Sequence, residues 1–180
     1  VTDRYVILDR DGTINVDSDA FIKSPEEWLP IPGSLEAIAF LNRHGFKVVV
    51  ISNQSGVARG LFDLTTLEAI HAKMLQMVST AGGNIEAIYF CPHGPNDHCD
   101  CRKPKPGLFE AFARDKRIDL KDVYAIGDSL RDARAAETAG ARPLLVKTGK
   151  GEKTLLKHPE LNFPVFDNLY DAANFIVSQS

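Results

Sequence analysis

No apolar run in this sequence approaches the roughly 20 residues that cross a bilayer, and nothing near Val1 reads as a secretory leader. A protein with no membrane partner, residing in the cytoplasm, is the expectation. Charge of one sign is also missing. The 24 acidic and 21 basic residues are interspersed and leave a net charge of −3, so there is neither a basic stripe for nucleic acid nor an acidic tail. Cysteine is scarce. The three present are an odd number and all fall between Cys91 and Cys101, which excludes a disulfide framework. Repeats, low-complexity segments and linkers are lacking too. At 180 residues the chain suits one domain, 1–180, large enough to build a core without staples. No obvious exposed apolar stripe calls for a partner subunit, so a monomer is expected.

What is present is alternation. Tyr5–Leu8, Phe46–Ile51, Ile85–Phe90, Val123–Ile126 and Pro143–Val146 read as buried strands, with Val165-Phe166 as a short edge strand. Between them lie helical patterns. The first carries apolar Leu35, Ile38, Ala39 and Leu41 and stops at Gly45. The second opens at Thr65-Thr66-Leu67-Glu68, the spacing of a capping box, and ends near Gly82-Gly83. Others fit Gly107–Arg117, Leu130–Ala139 and Asn168–Val177. Such alternation predicts an α/β fold: a Rossmann-like parallel sheet with helices on both faces and right-handed crossovers.

Polar loops follow the strands, where open α/β sheets bind ligands. Asp9-Arg10-Asp11-Gly12-Thr13 follows the first and puts two carboxylates at i and i+2 beside a permissive turn. Ser52-Asn53-Gln54-Ser55-Gly56 follows the second, a loop able to hold phosphate oxygens through hydroxyl and main-chain N–H groups. Arg102-Lys103-Pro104-Lys105-Pro106-Gly107 comes after the third, and Gly127-Asp128-Ser129 with Asp132 after the fourth. Turn composition explains each loop singly; it does not explain their convergence on one sheet edge.

Asp9-x-Asp11-Gly-Thr13, Ser52-Asn53, Lys103 and Gly127-Asp128, in that order, resemble the haloacid dehalogenase (HAD) phosphohydrolase superfamily over residues 5 to about 148. The resemblance implies a Mg²⁺-dependent phosphatase. By it Asp9 is the nucleophile that forms an aspartyl-phosphate, and Asp11 is the acid and base. Ser52 and Lys103 hold the phosphoryl group. Asp9, Asp128 and the backbone carbonyl of Asp11 ligate Mg²⁺, with Asp132 acting from the following helix. The intervals between motifs leave no room for a cap domain, so the site should be open, walled by Asp17–Trp28 and Gly56–Phe62.

Cys91, His93, Cys99 and Cys101 place three thiols and an imidazole within residues 91–101. Four soft donors suit tetrahedral, structural Zn²⁺ with no open position. His98 is the alternative fourth donor, and resemblance to a zinc-loop, histidinol-phosphatase-like subgroup of the superfamily favours His93. Zinc there would order the loop just before Arg102 and Lys103.

Two zinc-loop branches fit, one acting on heptose 1,7-bisphosphate and the other on histidinol phosphate. Asn53–Gly60, Lys103–Gly107 and Val146–Lys150 resemble the heptose branch. A small phosphorylated sugar is then the implied substrate, Arg102 gripping its remote part and Asn53 positioning sugar or phosphate. Arg59 and Lys150 are further candidates. The short zinc loop resembles the histidinol branch, and Ser129 stands where heptose enzymes often carry lysine. A non-catalytic binding module with a spent site is the remaining reading, opposed by the presence of every carboxylate, the hydroxyl and the lysine.

Overall fold

The computed structural model describes residues 2–180. Six parallel strands, β1 (Arg4–Leu8), β2 (Phe46–Asn53), β3 (Ile85–Cys91), β4 (Tyr124–Gly127), β5 (Arg142–Val146) and β6 (Val165–Phe166), form one sheet in the order 3-2-1-4-5-6. The chain moves outward from β1 through β2 to β3, then returns to β1's other side as β4. That reversal creates a crevice at the carboxyl ends of β1 and β4.

Alternation along β1 and β2 divides the core in two. Val6, Leu8, Val48 and Val50 face one way, toward α1 (Ser34–Arg43), α2 (Leu64–Thr80) and, with Leu144 and Val146 of β5, α6 (Leu169–Ser178). Tyr5, Ile7, Val49 and Ile51 face the other way, toward α3 (Gly107–Lys116) and α4 (Leu130–Ala139). Successive side chains in a strand point to opposite faces, so a strand apolar at every position must be covered on both. Phe112 of α3 is fully buried, with Tyr5 and Tyr89 edge-on at 5.2 and 5.9 Å.

Each expected strand and helix is present, β6 and α4 with the expected bounds and the others with ends shifted by a residue or more. Helix α2 does not open on the Thr65–Glu68 box. Asp63 reaches extended geometry first, and its carboxylate accepts the Thr66 N–H at 2.8 Å, so the threonines lie in the first turn. Arg117 closes α3 in the left-handed region, and Asn168 caps α6 instead of joining it. A helix without a sequence signal, α5 (Gly151–Lys157), is one short stretch with little apolar periodicity, buried only at Gly151 and Thr154. Between β1 and β2 lie a 3₁₀ turn at Pro25–Glu27 and α1, and no inserted domain covers the crevice among the described residues. None of the described helices is long and apolar enough to cross a membrane.

Candidate active site

Parallel pairing brings the loops after β1, β2 and β4 to one edge, with the loop beyond β3 folding back over it. They line a cleft of about 210 Å³ whose floor carries Asp9, Asp11, Lys103, Asp128 and Asp132. Its walls come from both expected segments, with Asp17, Ser18, Asp19 and Phe21 on one side and Ser55 and Arg59 on the other. Arg102, Arg131 and Lys150 add positive charge. The Arg59 guanidinium sits 5.3 Å from the Phe21 ring, linking the two walls, and Lys150 Nζ pairs with Asp17 at 3.0 Å.

Lys103 is 3% exposed and reaches inward along β2. Its Nζ donates to Asp9 Oδ1 at 3.0 Å, to Ile51 O at 2.9 Å and pairs with Asp132 Oδ1 at 2.6 Å. Burial works against its charge, but Asp132 and Asp9 outweigh burial and drive its pKa up. Asp132 is the support of this corner. Its Oδ2 accepts from Ser129 N, Ser129 Oγ and Asp128 N, while Ser129 Oγ accepts the Asp132 N–H. This reciprocal cap explains serine at 129: a short hydroxyl closes the first turn of α4. Burial, and after it the charge of Lys103, act oppositely on Asp132, and the lysine prevails to hold it ionised.

Asp128 is held from the other side. Lys150 N donates to its Oδ2 at 2.8 Å, and Thr154 Oγ1 of α5 donates to its backbone O at 3.0 Å. Gly12, at φ +88°, passes so close that a Cβ there would overlap the Asp128 carboxylate. Asp9, Asp128 and Asp132 bring carboxylate oxygens within 4.8 Å of one another. Burial, then the charge of Asp132, pushes Asp9 up to about 7, and burial, then Asp9 and Asp132, pushes Asp128 up to about 9. One ammonium cannot balance three crowded carboxylates, so the donor set fits a hard divalent cation bound through Asp9 and Asp128. Both Asp132 oxygens are already engaged.

The Asp11 carboxylate stands apart from that cluster. It accepts from Arg10 Nε and Asn15 Nδ2 on Oδ1, and from Arg10 Nη2 and Gln54 Nε2 on Oδ2, at 2.9 to 3.1 Å. Burial raises its pKa, but the Arg10 charge and these hydrogen bonds overcome burial and hold it below the usual carboxylate value. Both oxygens of the Asp11 carboxylate are thus already engaged. Ser52, expected at the phosphate, is 1% exposed and is not among the residues that line the cleft; its Oγ accepts from Gln54 Nε2 at 2.8 Å. Asn53 spends both ends of its amide on the Lys103 backbone, accepting from N at 3.0 Å and donating to O at 3.2 Å. It therefore sets the entry of the Lys103 side chain as well as lining the cleft.

The second donor cluster lies at the end of β3. Sγ of Cys91, Cys99 and Cys101 and Nδ1 of His93 lie within 4.8 Å of one another, and all three cysteines are free of disulfides. His93 Nδ1 is 3.4 Å from Cys101 Sγ and 3.6 Å from Cys91 Sγ. His98 is exposed and outside the cluster. Three sulfurs and one imidazole facing a common centre fit a soft, closed tetrahedral site. Arg102 Nη1 donates to His93 O at 3.3 Å and Lys105 Nζ to Cys99 O at 2.7 Å, so this loop and the Lys103 loop are bound together.

A family model described as HAD-hydrolase-like matches residues 100–172. A Pseudomonas putida protein named D-glycero-β-D-manno-heptose-1,7-bisphosphate 7-phosphatase is 52% identical over 174 residues, covering 97% of this chain and 99% of its own. The chain belongs to this heptose bisphosphatase family. The crystal structure of the family's Bordetella bronchiseptica member, D,D-heptose 1,7-bisphosphate phosphatase complexed with magnesium and phosphate, matches at TM-score 0.96 and 50% identity, covering 98% of this chain and 99% of its own. A Burkholderia thailandensis D,D-heptose 1,7-bisphosphate phosphatase matches at TM-score 0.78 and 43% identity, covering 97% and 99%. The heptose bisphosphatase fold is thus the HAD core expected from the ordered motifs.

Several residues of this family member carry no strong sequence signal. Arg10 and Asn15 are fully buried around Asp11, and Gln54 joins them. His71 is the visible anomaly, an imidazole on the apolar face of α2 among Leu67, Ile70, Met74 and Val78. Thr148 Oγ1, which donates to Gly12 O at 2.7 Å, is invisible without the tertiary contact.

Proposed function

We propose that this chain removes the 7-phosphate of D-glycero-β-D-manno-heptose 1,7-bisphosphate through an aspartyl-phosphate on Asp9. The observation that carries the reading is the Asp9 carboxylate set at the cleft floor beside Lys103, Asp128 and Asp132 in a chain so close to named heptose bisphosphatases. The β anomer follows the names of the relatives.

In the first step an Asp9 oxygen attacks phosphorus, the bond from phosphorus to the sugar O7 breaks, and the leaving alkoxide takes a proton from Asp11. In the second, water attacks the phosphorus, Asp11 takes the water's proton, and the Asp9–phosphorus bond breaks to free inorganic phosphate. Asp11 is ionised in the resting chain, ready as the base. A phosphate dianion arriving beside it disfavours that charge, so the loaded site is where Asp11 carries the proton it donates. Lys103 and Ser52 hold the phosphoryl oxygens, Lys103 fixed in place by Asp132 and by Asn53 on its backbone. Mg²⁺ held by Asp9, Asp128 and the Asp11 carbonyl would offset the charge that gathers on the phosphoryl oxygens. Arg102 faces the remote part of the sugar from the cleft wall.

Zn²⁺ held by Cys91, His93, Cys99 and Cys101 is proposed as a structural ion that orders the loop leading to Arg102 and Lys103. The open cleft suits a polar substrate of moderate size, and residues 1–180 are proposed to act as one domain, as a monomer.

Phosphate release with Mg²⁺ from both anomers of heptose 1,7-bisphosphate, beside histidinol phosphate, tests the reading. Faster turnover of the β-heptose is expected. Preference for histidinol phosphate would overturn the substrate, and hydrolysis of none of the three would overturn the activity.

A further inference from the structure

Arg10 has no exposed surface, yet it belongs to neither the cleft lining nor either metal cluster. A guanidinium so placed is costly unless all its donors are directed. Nε and Nη2 close a fork on Asp11 Oδ1 and Oδ2 at 2.9 and 3.1 Å. Nη2 also donates to Gln54 Oε1 at 3.2 Å, and Nη1 lies 3.1 Å from His71 Nε2. Guanidinium groups only donate, so His71 Nε2 must be the bare nitrogen of a neutral ring, and Gln54 must turn its oxygen toward Arg10. The Gln54 amide nitrogen then faces the site, 3.1 Å from Asp11 Oδ2 and 2.8 Å from Ser52 Oγ. With Ser52 Oγ accepting that bond, its own proton is directed to Asn53 O over a long 3.4 Å contact, the one a phosphoryl oxygen would have to replace.

We infer that Arg10, seated on His71, is a positioning residue: it fixes the Asp11 carboxylate and, through Gln54, the Ser52 hydroxyl before substrate arrives. This rests on the phosphatase reading above. His71 lies on α2, behind Arg10, and touches neither Asp11 nor the cleft, with Phe90 as its aromatic neighbour at 5.8 Å. It transmits nothing chemical; it sets the depth and tilt of the guanidinium. Misplacing a reacting group by about 1 Å can cost a hundredfold in rate, so loosening the fork should act on turnover and spare substrate binding.

Steady-state kinetics of His71→Leu, His71→Gln and Arg10→Lys, each with its thermal midpoint, test the inference. His71→Leu removes the acceptor and should lower kcat about tenfold to a hundredfold with KM within about threefold. His71→Gln keeps an acceptor oxygen and should recover most of kcat. Arg10→Lys keeps the charge without the fork and should lose turnover like His71→Leu; if it does not fold, the His71 pair decides. Wild-type kcat in folded His71→Leu would overturn the inference, and so would equal losses in His71→Leu and His71→Gln that follow only their thermal midpoints. A wild-type protein that releases no phosphate fails the phosphatase reading and removes the positioning role with it. An active wild type with indifferent variants fails the positioning role alone.

Discussion

Asp9 and Asp11 are two residues apart yet meet opposite surroundings. Asp9 faces carboxylates and a single ammonium, whereas Asp11 is gripped by a guanidinium and two amides. Adjacent carboxyls with divergent proton affinities suit divided labour, one as nucleophile and one as proton carrier. Asp9→Asn should therefore lower phosphate release at least a thousandfold, to within assay background, while circular dichroism and zinc content stay at wild-type values; turnover near wild type would remove Asp9 as the nucleophile. Gly12 is a steric case. A methyl at φ +88° would be strained and would strike the Asp128 carboxylate, so Gly12→Ala should weaken Mg²⁺ activation at least tenfold in a metal titration of activity. Asp9, Asp11 and Asp128 were legible as an ordered motif because they follow the ends of β1 and β4, and Lys103 because it lies in the loop between β3 and α3. Arg10 was not, since one arginine between two aspartates is equally compatible with a solvated turn until its burial is known.

At the scale of elements, the Cys91–Cys101 loop and the Lys103 loop are one mechanical unit. Arg102 and Lys105 bond back to the carbonyls of His93 and Cys99, and Gly107 N donates to Asp100 O at 3.1 Å. Cys99→Ser should lower zinc content well below one per chain, measured by atomic absorption, and activity should fall with it because Lys103 loses its frame. Zinc at one per chain in that variant would refute the assignment of Cys99. Helix α3 anchors the same loop from behind. Phe112→Ala empties a fully buried site between two tyrosines and should cost about 3–5 kcal/mol in urea unfolding. The long strands and amphipathic helices were readable from periodicity. Helix α5 was not, because seven residues with two buried positions leave no period to detect. The N-terminus of α2 was misplaced because Asp63 and Thr65 are both good caps, and it is the Asp63 carboxylate that accepts the Thr66 N–H.

The whole molecule joins its stability to pH through the same buried network. Burial, then the Arg10 charge, lowers His71 from 6.5 to about 4. The unfolded chain therefore binds a proton on His71 near pH 6.5 that the folded chain refuses until about pH 4. Stability from this group is full above pH 6.5 and is lost as pH falls through that window, on the order of 2 kcal/mol between pH 7 and pH 5. Urea midpoints at the two pH values, wild type against His71→Gln, measure it: the variant should lose much less on acidification, and equal losses would exclude His71 as the source.

The sequence by itself determined the parallel α/β sheet, because strands apolar at every position need helices on both faces, and it determined the order in which catalytic residue types meet the sheet edge. It also determined that three thiols and an imidazole lie within reach of one ion, since a short loop cannot separate them. Only the tertiary structure brings His93 into the donor cluster and leaves His98 outside it, because both lie in one short loop whose path the local sequence does not specify. It decided likewise that Asn53 holds the Lys103 backbone, that Asp132 anchors the lysine, and that Arg10 is sealed against His71. Those contacts span 50, 29 and 61 residues of chain, and no local pattern encodes a partner at that distance: the sheet order does, by carrying distant strand ends to one edge.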